Sequence, residues 1–158
     1  MKAHQILDEW SLENIELVDL PKPYPVQGEV LLEMKAASLN YRDIVVAQRG
    51  YGSKTGTLPL IPISDGVGLV KEVGEGVTQF KEGDRVCPLF MQGWFSGPPN
   101  RERMGATLGG PIDGVMAEYR CFPEDSISKI PETLSHLEAS TLPCAALTAW
   151  SSLIGEGK

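Results

Sequence analysis

Residues 64–86 read SDGVGLVKEVGEGVTQFKEGDRV, and this stretch limits the fold more than any other. Val67, Leu69, Lys71 and Val73 share one face of an extended run, with Gly68, Val70 and Glu72 on the other. Gly74, Gly76 and the turn Glu82-Gly83-Asp84 then reverse the chain before Arg85-Val86-Cys87. A chain built around such a unit is committed to short antiparallel strands.

The rest of the sequence continues that pattern. Met1–Leu7 and Asn14–Leu20 read as strands, Pro21–Pro25 as an extended linker, and Glu29–Ala37 as a strong strand alternating Val30, Leu32, Met34 and Ala36 with Leu31, Glu33 and Lys35. Residues 40–48 predict a short helix, and a glycine-rich loop follows from Gly50 to Gly56. The stretch from Phe90 to Gly114 reads as one long loop. Val115–Phe122 and Ile127–Ile130 resume as strands. Ser135 and Glu138 then form a capping box, and Pro143 opens a second helix reaching Ile154. Many short strands followed by a helical tail predict a mainly β fold, a partly open barrel with short C-terminal helices.

Composition narrows the function classes. A length of 158 residues suits one domain with a real core. A formal charge of −7 opposes nucleic acid and anionic membranes as partners. No apolar run is long enough to span a bilayer, and MKAHQILDEW lacks the core of a signal peptide, so a cytoplasmic location is expected. Cys87, Cys121 and Cys144 are isolated, which excludes a disulfide framework and a zinc ribbon. Gly74-Glu75-Gly76 lacks the third glycine of a dinucleotide fingerprint, and Gly155-Glu156-Gly157-Lys158 is not a P-loop.

Segment 64–86 resembles the GroES-like catalytic domain of the medium-chain dehydrogenase/reductase family. The resemblance implies a GroES-like barrel over 1–132 and a helical connection over 133–158, leading to a nucleotide-binding Rossmann half beyond Lys158. In zinc alcohol dehydrogenases of that family a Gly-His-Glu triplet stands where this chain has Ile63-Ser64-Asp65, so Ser64 replaces a metal-binding histidine. Asn40 replaces a ligand cysteine, while Asp43 matches the aspartate three residues on. Cys144 stands at the third ligand position, and one thiolate does not hold zinc. The loop Phe90–Gly114 has no cysteine for a structural zinc, and His4 and His136 match no ligand position. The resemblance is therefore to the zinc-independent branch, which includes quinone oxidoreductases and enoyl reductases.

Most of the site residues carry two readings. Asn40 is a donor to a substrate carbonyl or cofactor ribose, or a helix N-cap. Tyr41 is a hydroxyl donor, or an aromatic half-buried against the barrel. Asp43 orients the site, or pairs with Arg42 on the surface. Ser64 is a further hydrogen-bond donor. Thr148 contacts the nicotinamide, or is an ordinary helix threonine. Cys144 is a small apolar residue in the cleft, or the nucleophile of a cysteine hydrolase with His136. The expected activity is hydride transfer between NADP or NAD and a carbonyl, quinone or activated alkene, without zinc and without catalysis by these 158 residues alone. A full-length homo-oligomer is compatible with this reading. The alternative classes are a non-enzymatic GroES-like interaction module and a cysteine-dependent hydrolase.

Overall fold

The computed structural model describes residues 1–155. Strands β1 (Lys2–Ile6) and β2 (Ile15–Asp19) form an antiparallel pair, and β3 (Glu29–Ser38), β4 (Asp65–Val73), β5 (Arg85–Pro88), β6 (Tyr119–Pro123) and β7 (Ile127–Lys129) form a second sheet. The order in that sheet is β6-β3-β4-β5-β7, all antiparallel. Its two edge strands, β6 and β7, are joined only by the single turn Glu124–Ser126. A flat five-stranded sheet would hold its edges about 19 Å apart. The four Cα steps from Pro123 to Ile127 reach about 14 Å at most. The sheet must therefore curl, and it forms the partly open barrel that the strand pattern predicts.

The helices sit where local signals place them. Helix α1 (Tyr41–Ala47) follows β3 directly, and α2 (His136–Ala139) starts at the Ser135–Glu138 capping box, with Ser135 N donating to Glu138 Oε2 at 2.9 Å. The expected second helix is a continuous helical run of three parts: a π-turn segment at Leu142–Ala146, α3 (Leu147–Trp150), and a second π-turn segment at Ser151–Gly155. The terminal Gly155–Lys158 motif lies partly outside the described residues. No described helix is long and apolar enough to cross a membrane.

The alternation read for β4 holds: Val70 joins the main core with Val30, Leu32, Val86 and Phe122, while Val67, on the opposite face, packs with Cys87, Ile130 and Ala139. Both faces of the sheet are covered here, so Leu31 is buried between Val30 and Leu32. Two expectations need correction. First, Ala36 does not stay on the face of Val30, Leu32 and Met34, because the register shift between Met34 and Ala36 turns it to the other face, where it packs with Val67. Second, the strand expected at Val115–Phe122 begins only at Tyr119. Val115 and Met116 instead donate to the carbonyls of Ile63 (2.9 Å) and Pro62 (3.4 Å), clasping the segment ahead of β4.

Candidate functional site

The site forms where β3 ends and β4 begins. Ser38, the last residue of β3, is paired with Asp65, the first of β4. Residues just past β3 and just before β4 are therefore neighbours across 24 positions of sequence. Asn40 Nδ2 donates to Ser64 Oγ over a long 3.4 Å. Asn40 is also the residue that starts α1, and its backbone N–H donates to Asp43 Oδ2 at 2.7 Å, so Asp43 ties the helix start from within. Asn40 thus occupies the cap position, as one of its two readings has it, while its side-chain amide faces Ser64.

A third piece of chain closes the group. Cys144 N donates to Asp65 Oδ2 at 3.1 Å, across 79 residues, which pins the start of the terminal helical run to β4. Asn40, Asp43, Ser64 and Cys144 are thus assembled around Asp65. Thr148 lies one turn past Cys144 and is exposed. Ser64 is fully buried, behind the partly exposed Asn40. Tyr41 is 81% exposed, so the half-buried aromatic packing considered above does not occur. The Arg42–Asp43 surface pair gives way as well. Asp43 is buried, and Arg42 instead donates to Leu108 O at 2.8 Å and Gly110 O at 3.1 Å with its guanidinium 4.7 Å from the Phe90 ring centre.

Burial sets the electrostatics. It raises both Asp43 and Asp65 above the ordinary carboxylate value, opposed by donors that include the Asn40 amide N–H at Asp43 and the Asn40 side chain and Cys144 N–H at Asp65. Asp43 Oδ1 and Asp65 Oδ1 are buried and have no hydrogen-bond partner among the described residues. The Cys144 thiol is raised too, first by burial and then by the Asp65 charge, so it stays protonated at neutral pH. Beside this group opens a cavity of about 320 Å³ to which Asn40, Tyr41 and Asp43 contribute the polar part of the wall.

The family model for the alcohol dehydrogenase GroES-like domain matches residues 26–132. The chain belongs to that family. The GroES-like domain is 42% identical over 128 residues to a zinc-type alcohol dehydrogenase-like protein of Schizosaccharomyces pombe, covering 81% of this chain and 37% of that protein. It is 35% identical over 142 residues to the chloroplast envelope quinone oxidoreductase homolog of Arabidopsis thaliana, covering 89% and 37%. A solved structure of a Sinorhizobium meliloti protein classed with the alcohol dehydrogenases superposes with a TM-score of 0.90 at 38% identity, over 99% of this chain and 46% of that one. The chain spans less than half the length of these relatives.

Catalytic zinc takes three protein ligands, with thiolate, imidazole or carboxylate donors. At the three positions where zinc relatives are expected to place ligands, the GroES-like domain offers an amide (Asn40), a hydroxyl (Ser64) and a single thiol (Cys144), and an amide and a hydroxyl are not zinc donors of that kind. Among the described residues no three His, Cys, Asp or Glu side chains are grouped to hold a metal ion. This donor set does not fit a catalytic zinc.

Two residues escape a reading of the sequence by residue type. Arg42 looks like a surface charge, yet it bolts α1 to the 108–110 loop. Ile63 looks like a core residue, yet its φ is +72°, in the region that favours glycine. The available signal was its place at the glycine of the triplet.

Proposed function

We propose that this domain is the catalytic half of a zinc-independent, NAD(P)-dependent oxidoreductase that moves hydride to or from a carbonyl, quinone or activated alkene. The observation that carries the reading is the Asn40 amide at the cavity wall, within a group of side chains that offers hydrogen bonds in place of metal ligands. The Arabidopsis relative is named a quinone oxidoreductase homolog, in keeping with this. The fission-yeast relative is named zinc-type, and the donor set of this chain argues for a different chemistry here.

In this reading residues 1–132 form the catalytic barrel and 133–158 lead toward a nucleotide-binding half. The nicotinamide, when bound, supplies or accepts the hydride. Asn40 and Thr148 would touch it, a role that the exposure of Thr148 and the partial exposure of Asn40 support. Asn40 Nδ2 and the Tyr41 hydroxyl donate to the substrate oxygen, while Ser64 and Asp43 hold Asn40 in place from behind. Hydrogen bonds polarise a carbonyl less than a bound cation does, which favours substrates already activated, such as quinones and conjugated enones. The raised Cys144 thiol disfavours a cysteine hydrolase.

The test is NADPH oxidation by the full-length protein with a quinone or an enal. Asn40→Ala is expected to lower turnover roughly a hundredfold, and Tyr41→Phe to lower it less. Rates unchanged in both variants would sink the assignment. Exhaustive dialysis against a chelator should leave the rate intact, whereas a loss restored by zinc would refute metal independence.

A further inference from the structure

We propose that Ile63, in the wall of the apolar cavity beside Asn40, sets how large a substrate body that cavity admits. The proposal rests on the functional reading above and adds to it a residue that determines substrate size.

The lining argues for the chemistry. Leu12, Ile15, Leu39, Ile44, Ile63 and Met116 make up most of the wall of this cavity of about 320 Å³, and among the described residues no lysine, arginine or histidine lines it. Its charged member is the carboxylic acid Asp43, on a chain whose formal charge is −7. A substrate carrying a carboxylate or phosphate in this space would lose its hydration without gaining a cationic partner. Leu12, Leu39 and Ile44 are 47%, 78% and 43% exposed, so the rim presents apolar surface that a bound hydrocarbon would remove from water. The polar groups Asn40 and Tyr41 share the same wall. A substrate oxygen at Asn40 therefore leaves the rest of the molecule lying along Ile44 and Ile63.

Ile63 is an independent observation. It is β-branched, 4% exposed, and held at φ +72°, where a branched side chain is strained. The structure does not let it relax. Val115 N–H donates to Ile63 O at 2.9 Å, a Cβ on Gly114 would lie 2.0 Å from that same oxygen, and one on Gly109 would lie 2.8 Å from the Ile63 backbone. Arg42 in turn holds Leu108 and Gly110 on either side of Gly109. Strain kept in place by so many contacts, at a residue that lines the cavity and adjoins Ser64, marks a functional wall. A glycine would satisfy the backbone, but it would leave the cavity larger.

The experiment measures kcat/KM of the full-length protein, with NADPH, for a series of trans-2-enals from propenal to 2-decenal. In the native protein kcat/KM is expected to rise with chain length, by up to about fourfold per methylene, and then to fall at a cut-off. Ile63→Gly should move the cut-off to longer chains, and Ile44→Gln, on the exposed rim, should flatten the rise. If kcat/KM ignores chain length, or if the cut-off stays put in Ile63→Gly, the inference is overturned while the turnover itself upholds the functional reading. Should Ile63→Gly fail to fold, Ile44→Gln decides: an unflattened rise overturns the inference. If neither enals nor quinones are turned over, the functional reading fails, and binding of 2-octanone, followed by intrinsic fluorescence, judges the cavity separately. Binding weakened by Ile44→Gln supports an apolar seat, and no binding to the native protein overturns it.

Discussion

At Ile63 two costs oppose each other. A left-handed backbone at a branched residue costs about 1–3 kcal/mol, while the buried side chain contributes packing to the core around Val30, Leu32 and Val70. Truncation to alanine loses the packing and keeps the strain, whereas truncation to glycine loses both. Ile63→Gly should therefore be more stable than Ile63→Ala by about 1 kcal/mol, the reverse of the usual order. Urea midpoints of the two variants test this, and an alanine variant equal to or above the glycine variant would show that strain is absent. Asp65 gives a pH prediction. Its folded-state value lies above the ordinary carboxylate value because it is buried. As pH rises past the ordinary value the unfolded chain loses a proton that the native state keeps, so stability falls across that window and the deficit is fully present above the raised value. Asp43 acts with the same sign. Asp65→Asn keeps an oxygen for the Cys144 N–H and removes the buried charge. Its stability relative to the parent should improve as pH rises from the acid side toward neutrality. A difference that does not change with pH would contradict the assignment.

Between elements, the least obvious contact is the one from α1 to the loop after Phe90. Arg42 makes two carbonyl contacts and lies over the Phe90 ring, 4.7 Å from its centre. A lysine cannot reproduce that fork or its stacking. Arg42→Lys should cost about 1–2 kcal/mol, and it should speed amide hydrogen exchange at Leu108 and Ile112 while leaving the amides of β3 unchanged. Uniform exchange changes across the sheet would point to general destabilisation instead. This contact also shows what was legible in the sequence. Strand positions, the 135–138 capping box and the turn at 82–84 are local, and each was readable from its own residues. The bulges in β3 and β4 and the diversion of Val115 and Met116 to the carbonyls of Ile63 and Pro62 depend on distant backbone, and periodicity is blind to them. Nothing near Arg42 in the sequence names Leu108 or Gly110 as its partners.

At the scale of the molecule, the barrel brings three remote pieces of chain to one point: the end of β3 with Asn40, the start of β4 with Ser64 and Asp65, and the terminal helical run with Cys144. The resemblance to a zinc-binding family identified those residues one by one. Their side chains carry the proposal of metal independence, because an amide and a hydroxyl stand where a thiolate and an imidazole would be required. The backbone should then still be able to build a metal centre. Asn40→Cys together with Ser64→His supplies, with Cys144, two thiols and an imidazole from the same three places. Metal would also lower the Cys144 thiol, which burial now holds up. The double variant is expected to bind one equivalent of Co²⁺ with the visible absorption of tetrahedral cobalt and a thiolate-to-metal band in the near ultraviolet, and the parent protein neither. Adding Cys144→Ala should abolish the tight site. If the double variant takes up cobalt no better than its parent, the three pieces do not converge closely enough to share a ligand. The hydrogen-bonded group could then not be regarded as occupying the position of a metal.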